Sequence, residues 1–140
     1  MNRNKKAQKG FTLAELIVCL AIIGILGAIA YPNFSHLQIK AKETALKSLA
    51  YRLQLSLSSY HLSFRDYPEG ENLPISDLAR HLISSQDLTR TPINPFTGNP
   101  FTASDPVGQI YYSFSKTRET YLLTVFGHNQ ETPILILQNS

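Results

Sequence analysis

Hydrophobic and polar positions follow three different rhythms along this chain. Residues 11–30 form a twenty-residue apolar run whose only charge is Glu15. As an α-helix rising about 1.5 Å per residue it covers roughly the 30 Å hydrocarbon core of a bilayer. Beyond Pro32 the pattern thins to a stripe: Leu46, Leu49, Leu53, Leu57, Tyr60 and Phe64 recur every three or four residues, while Lys42, Glu43, Lys47 and Arg52 lie off it. That spacing predicts an amphipathic helix over 32–65 that continues the apolar one. Pro32 cannot donate to the carbonyl of Ala28 and crowds that turn, so a kink is expected there with the helix surviving.

Asp66-Tyr67-Pro68 and Gly70 end the helical pattern, and 69–74 reads as loop. Ser76 is positioned to cap a short helix reaching about Ser84, with Leu78 and Leu82 buried one turn apart. The stretch 91–107 is punctuated by Thr91-Pro92, Asn94-Pro95 and Gly98-Asn99-Pro100. It is long for a loop inside a compact domain and is expected to be either functional or pinned by its prolines. The rhythm then shortens to that of strands in 109–115, 120–126 and 133–138, rich in Tyr, Phe, Val, Ile and Leu, with a hairpin turn at 116–119. The fold class is therefore α+β: a long N-terminal helix, half membrane-spanning and half amphipathic, packed against a small antiparallel sheet that lies on the Leu46 to Phe64 stripe.

The charge in the apolar run needs a reason. A carboxylate deep in a membrane segment costs about 2.5–3.5 kcal/mol on insertion scales unless it has a partner. Arg3, Lys5, Lys6 and Lys9 precede the run, as in a secretory signal, but such signals have apolar regions of about 7–15 residues that end at a small-residue cleavage site. A lipoprotein signal ending at Cys19 would need a small residue where Val18 stands. A plain single-pass anchor accounts for the basic flank, which puts the N-terminus inside. It leaves Glu15 and the Gly10-Phe11 junction without a role.

Lys9-Gly10-Phe11-Thr12-Leu13 followed by Glu15, with Tyr31-Pro32 closing the run, resembles the class III signal of the type IV pilin and pseudopilin family. The resemblance implies that a prepilin peptidase cuts after Gly10 on the cytoplasmic face and N-methylates Phe11. It implies that Glu15 faces the N-terminal amine of a neighbouring subunit during assembly. It divides the chain into a leader at 1–10, a transmembrane and assembly helix at 11–31, and a pilin-like globular domain at 32–140 outside the membrane that includes the amphipathic helix. Gly24, Gly27 and Pro32 would mark a segment that loosens on entry into the filament. Gly24 and Ala28, four apart with Gly27 beside them, would let neighbouring membrane helices approach closely.

Composition then changes meaning. The formal charge is +3, yet four of the thirteen Lys and Arg fall in the leader, and nine against ten acidic residues leave the processed chain near −1. Basicity is a targeting signal here and nucleic acid is not an expected partner. A single cysteine excludes an internal disulfide, a departure from the paired cysteines of many major type IVa pilins. His36, His61, His81 and His128 have no metal-ligand spacing, and nothing resembles a nucleophile elbow or phosphate loop. Some pseudopilins hold calcium in a C-terminal loop, but the only acid in 91–115 is Asp105, too few for six to eight oxygen ligands. No catalytic residue, metal or cofactor is expected. Tyr111, Tyr112, Phe114, Tyr121 and Phe126 could stack on single-stranded nucleic acid beside Lys116 and Arg118, but their strand setting favours core packing.

The resemblance therefore implies a structural subunit of a type IV pilus-like filament. It would begin as a single-pass protein of the bacterial inner membrane and end in a pilus at the cell surface. Its partners would be other pilin subunits, the same or different, the prepilin peptidase and an inner-membrane assembly platform. Two alternatives share the motif: a pseudopilin in a periplasmic pseudopilus of a type II secretion system, and a minor pilin acting as an adhesin or DNA-uptake module.

Overall fold

A computed structural model describes residues 10–116 and 119–139; of Pro32 and Asn33 it describes the backbone only. The chain forms a helix α1 (Leu13–Phe64), a two-residue strand β1 (Leu73–Pro74), a helix α2 (Ile75–Ser84), and strands β2 (Ile110–Ser115), β3 (Thr120–Phe126) and β4 (Pro133–Gln138). It divides into two compact units, Met1–Gln38 and Ile39–Ser140.

In the first unit α1 is apolar all round and has no cover of its own. Its large side chains from Leu13 to Tyr31 are between 52% and 78% exposed. Helical assignment continues through Pro32, which agrees with a helix that survives its proline.

In the second unit the rest of α1 is one layer of a two-layer core. Leu46, Leu49, Ala50, Leu53 and Leu57 are buried. They join Ile110, Tyr112, Tyr121, Leu123 and Val125 from the sheet and Ile75, Leu78 and Leu82 from α2 in one cluster. The helix needs the sheet and the sheet needs the helix, since a few strands alone are marginal without an apolar face to cover. The expected stripe fades at its end: Tyr60 is half-buried against the core and Phe64, the last residue of α1, is exposed.

The sheet order is β1-β2-β3-β4, antiparallel throughout. Ser115 pairs with Thr120, so four residues turn the β2–β3 hairpin; Thr117 and Arg118 lie outside the described residues. Alternation works as anticipated on β3, where Tyr121, Leu123 and Val125 are buried and the residues between them are more open.

Three local expectations are corrected. Residues 69–74 are not all loop, because Leu73 and Pro74 pair with Tyr112 and Tyr111. A proline is tolerated there since β1 is an edge strand with no second neighbour to bond. Ser76 does not cap α2: Pro74 takes the N-cap position and no side chain bonds the first turn. Apolar burial of Ile75, Leu78, Ala79 and Leu82 holds that helix in place of a polar cap. Gln109 precedes β2 and serves the loop described below.

The buried and exposed faces of α1 differ sharply in what they should tolerate. Leu53→Ala should cost about 2–5 kcal/mol of stability, whereas Leu55→Ala, two residues away and 72% exposed, should stay within about 0.5 kcal/mol. Urea unfolding of both variants in detergent, followed by circular dichroism, checks the contrast.

Candidate functional site: the start of the apolar helix

Thr12 and Glu15 form a capping box, the arrangement in which residues three apart satisfy each other's free groups at a helix start. The Thr12 backbone N–H and its hydroxyl both donate to Glu15 Oε2, at 2.9 and 2.8 Å. The Glu15 N–H donates back to Thr12 Oγ1 at 3.3 Å. Glu15 also sits in the first turn of α1, where exposed N–H groups and the helix dipole favour an anion. The acid is thus held locally before any neighbour arrives. Threonine followed three residues later by glutamate is the sequence signature of such a box. Oε1 has no partner among the described residues.

Gly10 and Phe11 are both exposed ahead of this box. A Cβ built on Gly10 meets nothing within 4 Å, and the same holds for Gly24 and Gly27. Nothing among the described residues crowds these glycines. Cys19 is exposed and free on the same helix.

The 91–107 loop is pinned by one buried side chain. Asn94 is fully buried and donates through Nδ2 to Asp105 Oδ2 at 2.8 Å and to the Val107 carbonyl at 2.9 Å. Its Oδ1 accepts the Phe96 N–H at 2.9 Å. Asn99 O accepts the Asn94 N–H, and a bridge joins Ile93 to Pro100. Gly108, at φ +73°, closes the far side, where a Cβ would lie 2.8 Å from Asn94 Oδ1. Gln109 completes the set, donating from Nε2 to the Thr102 and Asp105 carbonyls at 3.1 and 3.0 Å. Prolines alone do not pin this loop; a buried asparagine does, and the asparagine-proline dipeptide was the signal for a turn but not for burial.

Residues weighed for other chemistry are dispersed. His61 stacks on Tyr67 and His128 on Phe96. Tyr112 and Tyr121 are buried; the Tyr112 hydroxyl donates to the Pro68 carbonyl at 2.7 Å, and burial pushes its pKa upward. Lys116 pairs with Glu69 at 3.0 Å, which spends the one described cation of the hairpin. Among the described residues no three His, Cys, Asp or Glu side chains converge as metal ligands.

These features define a class: a single apolar helix, long enough to cross a membrane and capped by its own acid, that feeds an α+β unit built on the continuation of that helix. Comparison with known proteins gives the class its family. The prokaryotic N-terminal methylation motif matches residues 5–31. A fimbrial protein of Moraxella nonliquefaciens is 34% identical over 111 residues, covering 79% of this chain and 69% of its own length. The type IV major fimbrial protein of Dichelobacter nodosus is 32% identical over 129 residues, covering 89% and 76%. A type IV major pilin of Myxococcus xanthus is 42% identical over 71 residues, covering 48% and 32%. No solved structure gives a significant match. The chain belongs to the type IV pilin family, and it is a structural subunit, not an enzyme.

The Asn94 anchor carries a pH dependence. Burial raises the Asp105 carboxyl, but hydrogen bonds from Asn94 and Thr102 outweigh it and hold the pKa below the ordinary 3.8. A depressed folded pKa contributes stability above the unfolded value that is lost as pH falls through the folded one. Amide exchange at Phe96 and Gly98 should therefore speed up below the ordinary carboxylate range, and Asp105→Asn should flatten that dependence, as exchange measured across pH would show.

Proposed function

We propose that this chain is a pilus subunit cut after Gly10 and N-methylated at Phe11, which then polymerises through its N-terminal helix. The observation that carries the reading is the uncovered apolar helix, which begins immediately after an exposed Gly10-Phe11 junction and holds Glu15 at its first turn, one of its oxygens without a partner among the described residues. In the membrane, lipid covers this helix; outside it, only other subunits can.

A new ammonium on Phe11 beside the Glu15 carboxylate of a neighbour would offset the desolvation of both charges in a low-dielectric core. Such a pair sets axial position more than it adds net stability. The capping box aids this by holding the carboxylate at the helix start, so less side-chain freedom is lost on docking. Open space at Gly24 and Gly27 supports close helix–helix approach. Pro32, with no N–H to offer Ala28, supplies the place where the helix gives on entry into the filament.

Partners follow from the same steps: a prepilin peptidase that reads Gly10-Phe11, an inner-membrane assembly platform, and further pilin subunits. Before assembly the chain crosses the inner membrane once, leader inward. The divisions at 1–10, 11–31 and 32–140 are part of this proposal. The matched relatives are fimbrial and pilus proteins, which supports a surface pilus over a secretion pseudopilus.

Gly10→Val should leave the protein at its unprocessed size, visible as a band shift on a gel. Glu15→Ala should keep insertion and processing and lower the yield of sheared filaments severalfold or more. Filament yield equal to the unsubstituted chain would remove Glu15 from the assembly mechanism. Amide exchange that shows no faster opening at 28–34 in filaments than in detergent would do the same for Pro32.

A further inference from the structure

The face of α1 turned away from the sheet carries a second pattern. Thr44, Ser48, Tyr51, Leu55, Ser58 and Leu62 follow one another at alternating steps of four and three, the spacing of a coiled-coil seam. All six are exposed and none is charged. The three aliphatic hydroxyls each have an acceptor within the helix: Thr44, Ser48 and Ser58 donate to the carbonyls of Lys40, Thr44 and Gln54 at 2.8, 3.1 and 3.0 Å. Tyr51, Leu55 and Leu62 are 54%, 72% and 83% exposed. A water-facing helix surface of this length would ordinarily carry charge.

Beside this seam lies a groove of about 670 Å³ between α1 and residues 87–95. Ala45, Ser48 and Leu55 form part of one wall, and Leu88, Pro92 and Ile93 part of the other. Ile93 is half exposed, yet it is not on a loose loop. It is held by the bridge to Pro100, by the Asn94 anchor that follows it, and by the Phe101 N–H, which donates to the Pro92 carbonyl at 3.3 Å. A large β-branched side chain on a backbone held in this way gives up little freedom when it is covered.

One surface in this chain matches that groove and lacks a cover. The helix in the first unit is apolar on every side, and outside lipid its exposed aliphatic side chains must be packed against something. A ridge of such side chains fits a groove beside a seam of small and apolar residues, as ridges fit grooves between helices generally. Charge does not oppose the match. Arg52 and Arg90 line the groove, Asp87 there accepts from Ser85, and the only charge on the apolar helix is the acid Glu15.

We propose that this groove seats the apolar helix of a second copy of the chain, with Ile93 as the contact that the globular unit adds to helix-on-helix packing. The proposal rests on the filament reading above. It assigns an assembly role to residues 88–95, which the N-terminal motif does not reach.

Thiol labelling of sheared filaments tests it. Cysteines are placed singly at Ile93, Leu55 and Ile136 in a Cys19→Ser background; all three positions are exposed in the lone chain. A soluble maleimide should label Ile93→Cys and Leu55→Cys about tenfold or more slowly in filaments than in detergent-dispersed subunits. Ile136→Cys, on the sheet, should label alike in both. Ile93→Cys is then paired with one cysteine at position 19, 22 or 26, and a short bifunctional maleimide should yield linked dimers from filaments for at least one pair. Equal labelling of Ile93→Cys in filaments and detergent overturns the proposal. So do links that form only between two Ile93→Cys residues, which would mean that groove meets groove, and protection with no link to the helix, which would mean another occupant. If the unsubstituted chain forms no filaments, the filament reading fails and takes this inference with it; filaments with a freely labelled Ile93→Cys overturn this inference alone.

Discussion

Burial of the Leu46, Leu49, Leu53 and Leu57 stripe beneath the sheet is the interaction on which the rest depends. Strands β2 to β4 form an antiparallel sheet with little area of its own to bury, and α1 supplies the missing layer. The same helix that enters the membrane is therefore the floor of the globular core. The unit cannot lose its hold on the stripe without losing its fold, so whatever α1 joins, the sheet and loops go with it.

That arrangement gives one helix two jobs at different positions. Its first part is apolar all round, which suits lipid and later the interior of an assembly; its second part is apolar toward the sheet and uncharged along a further seam. Glu15 is the one charge in that first part. The capping box satisfies one of its oxygens within the chain, which lowers the cost of carrying an acid into a bilayer. The other oxygen has no partner among the described residues.

The loop between α2 and β2 shows how a small domain without a disulfide can hold a long connection. Asn94 uses its amide in three directions, toward Asp105, Val107 and Phe96, and Gln109 ties two carbonyls of the same loop from below. A buried polar side chain is stabilising only when its groups are satisfied, and here the loop backbone supplies the partners. One acceptor, Gln109 Oε1, remains buried without a partner among the described residues. The result is a fixed wall beside α1 that presents Ile93 outward.

The sequence alone determined the features that rest on local chemistry and period. The membrane-length run, the stripe at 46–57 and the ends of β3 and β4 can each be read from residue order, because helix and strand periods and the bilayer's thickness impose them. Even the capping box was written in Thr12 and Glu15. Tertiary structure decided what depends on residues far apart in the chain. Leu73 and Pro74 became a strand only because Tyr111 and Tyr112 were there to pair with them, and Pro74 began α2 only because Ile75, Leu78 and Leu82 found a core. Asn94 became a buried anchor only when Asp105 and Val107 closed around it, and Ile93 stayed outside for the same reason. Periodicity records which residues prefer to be buried; it does not say which partners arrive to bury them.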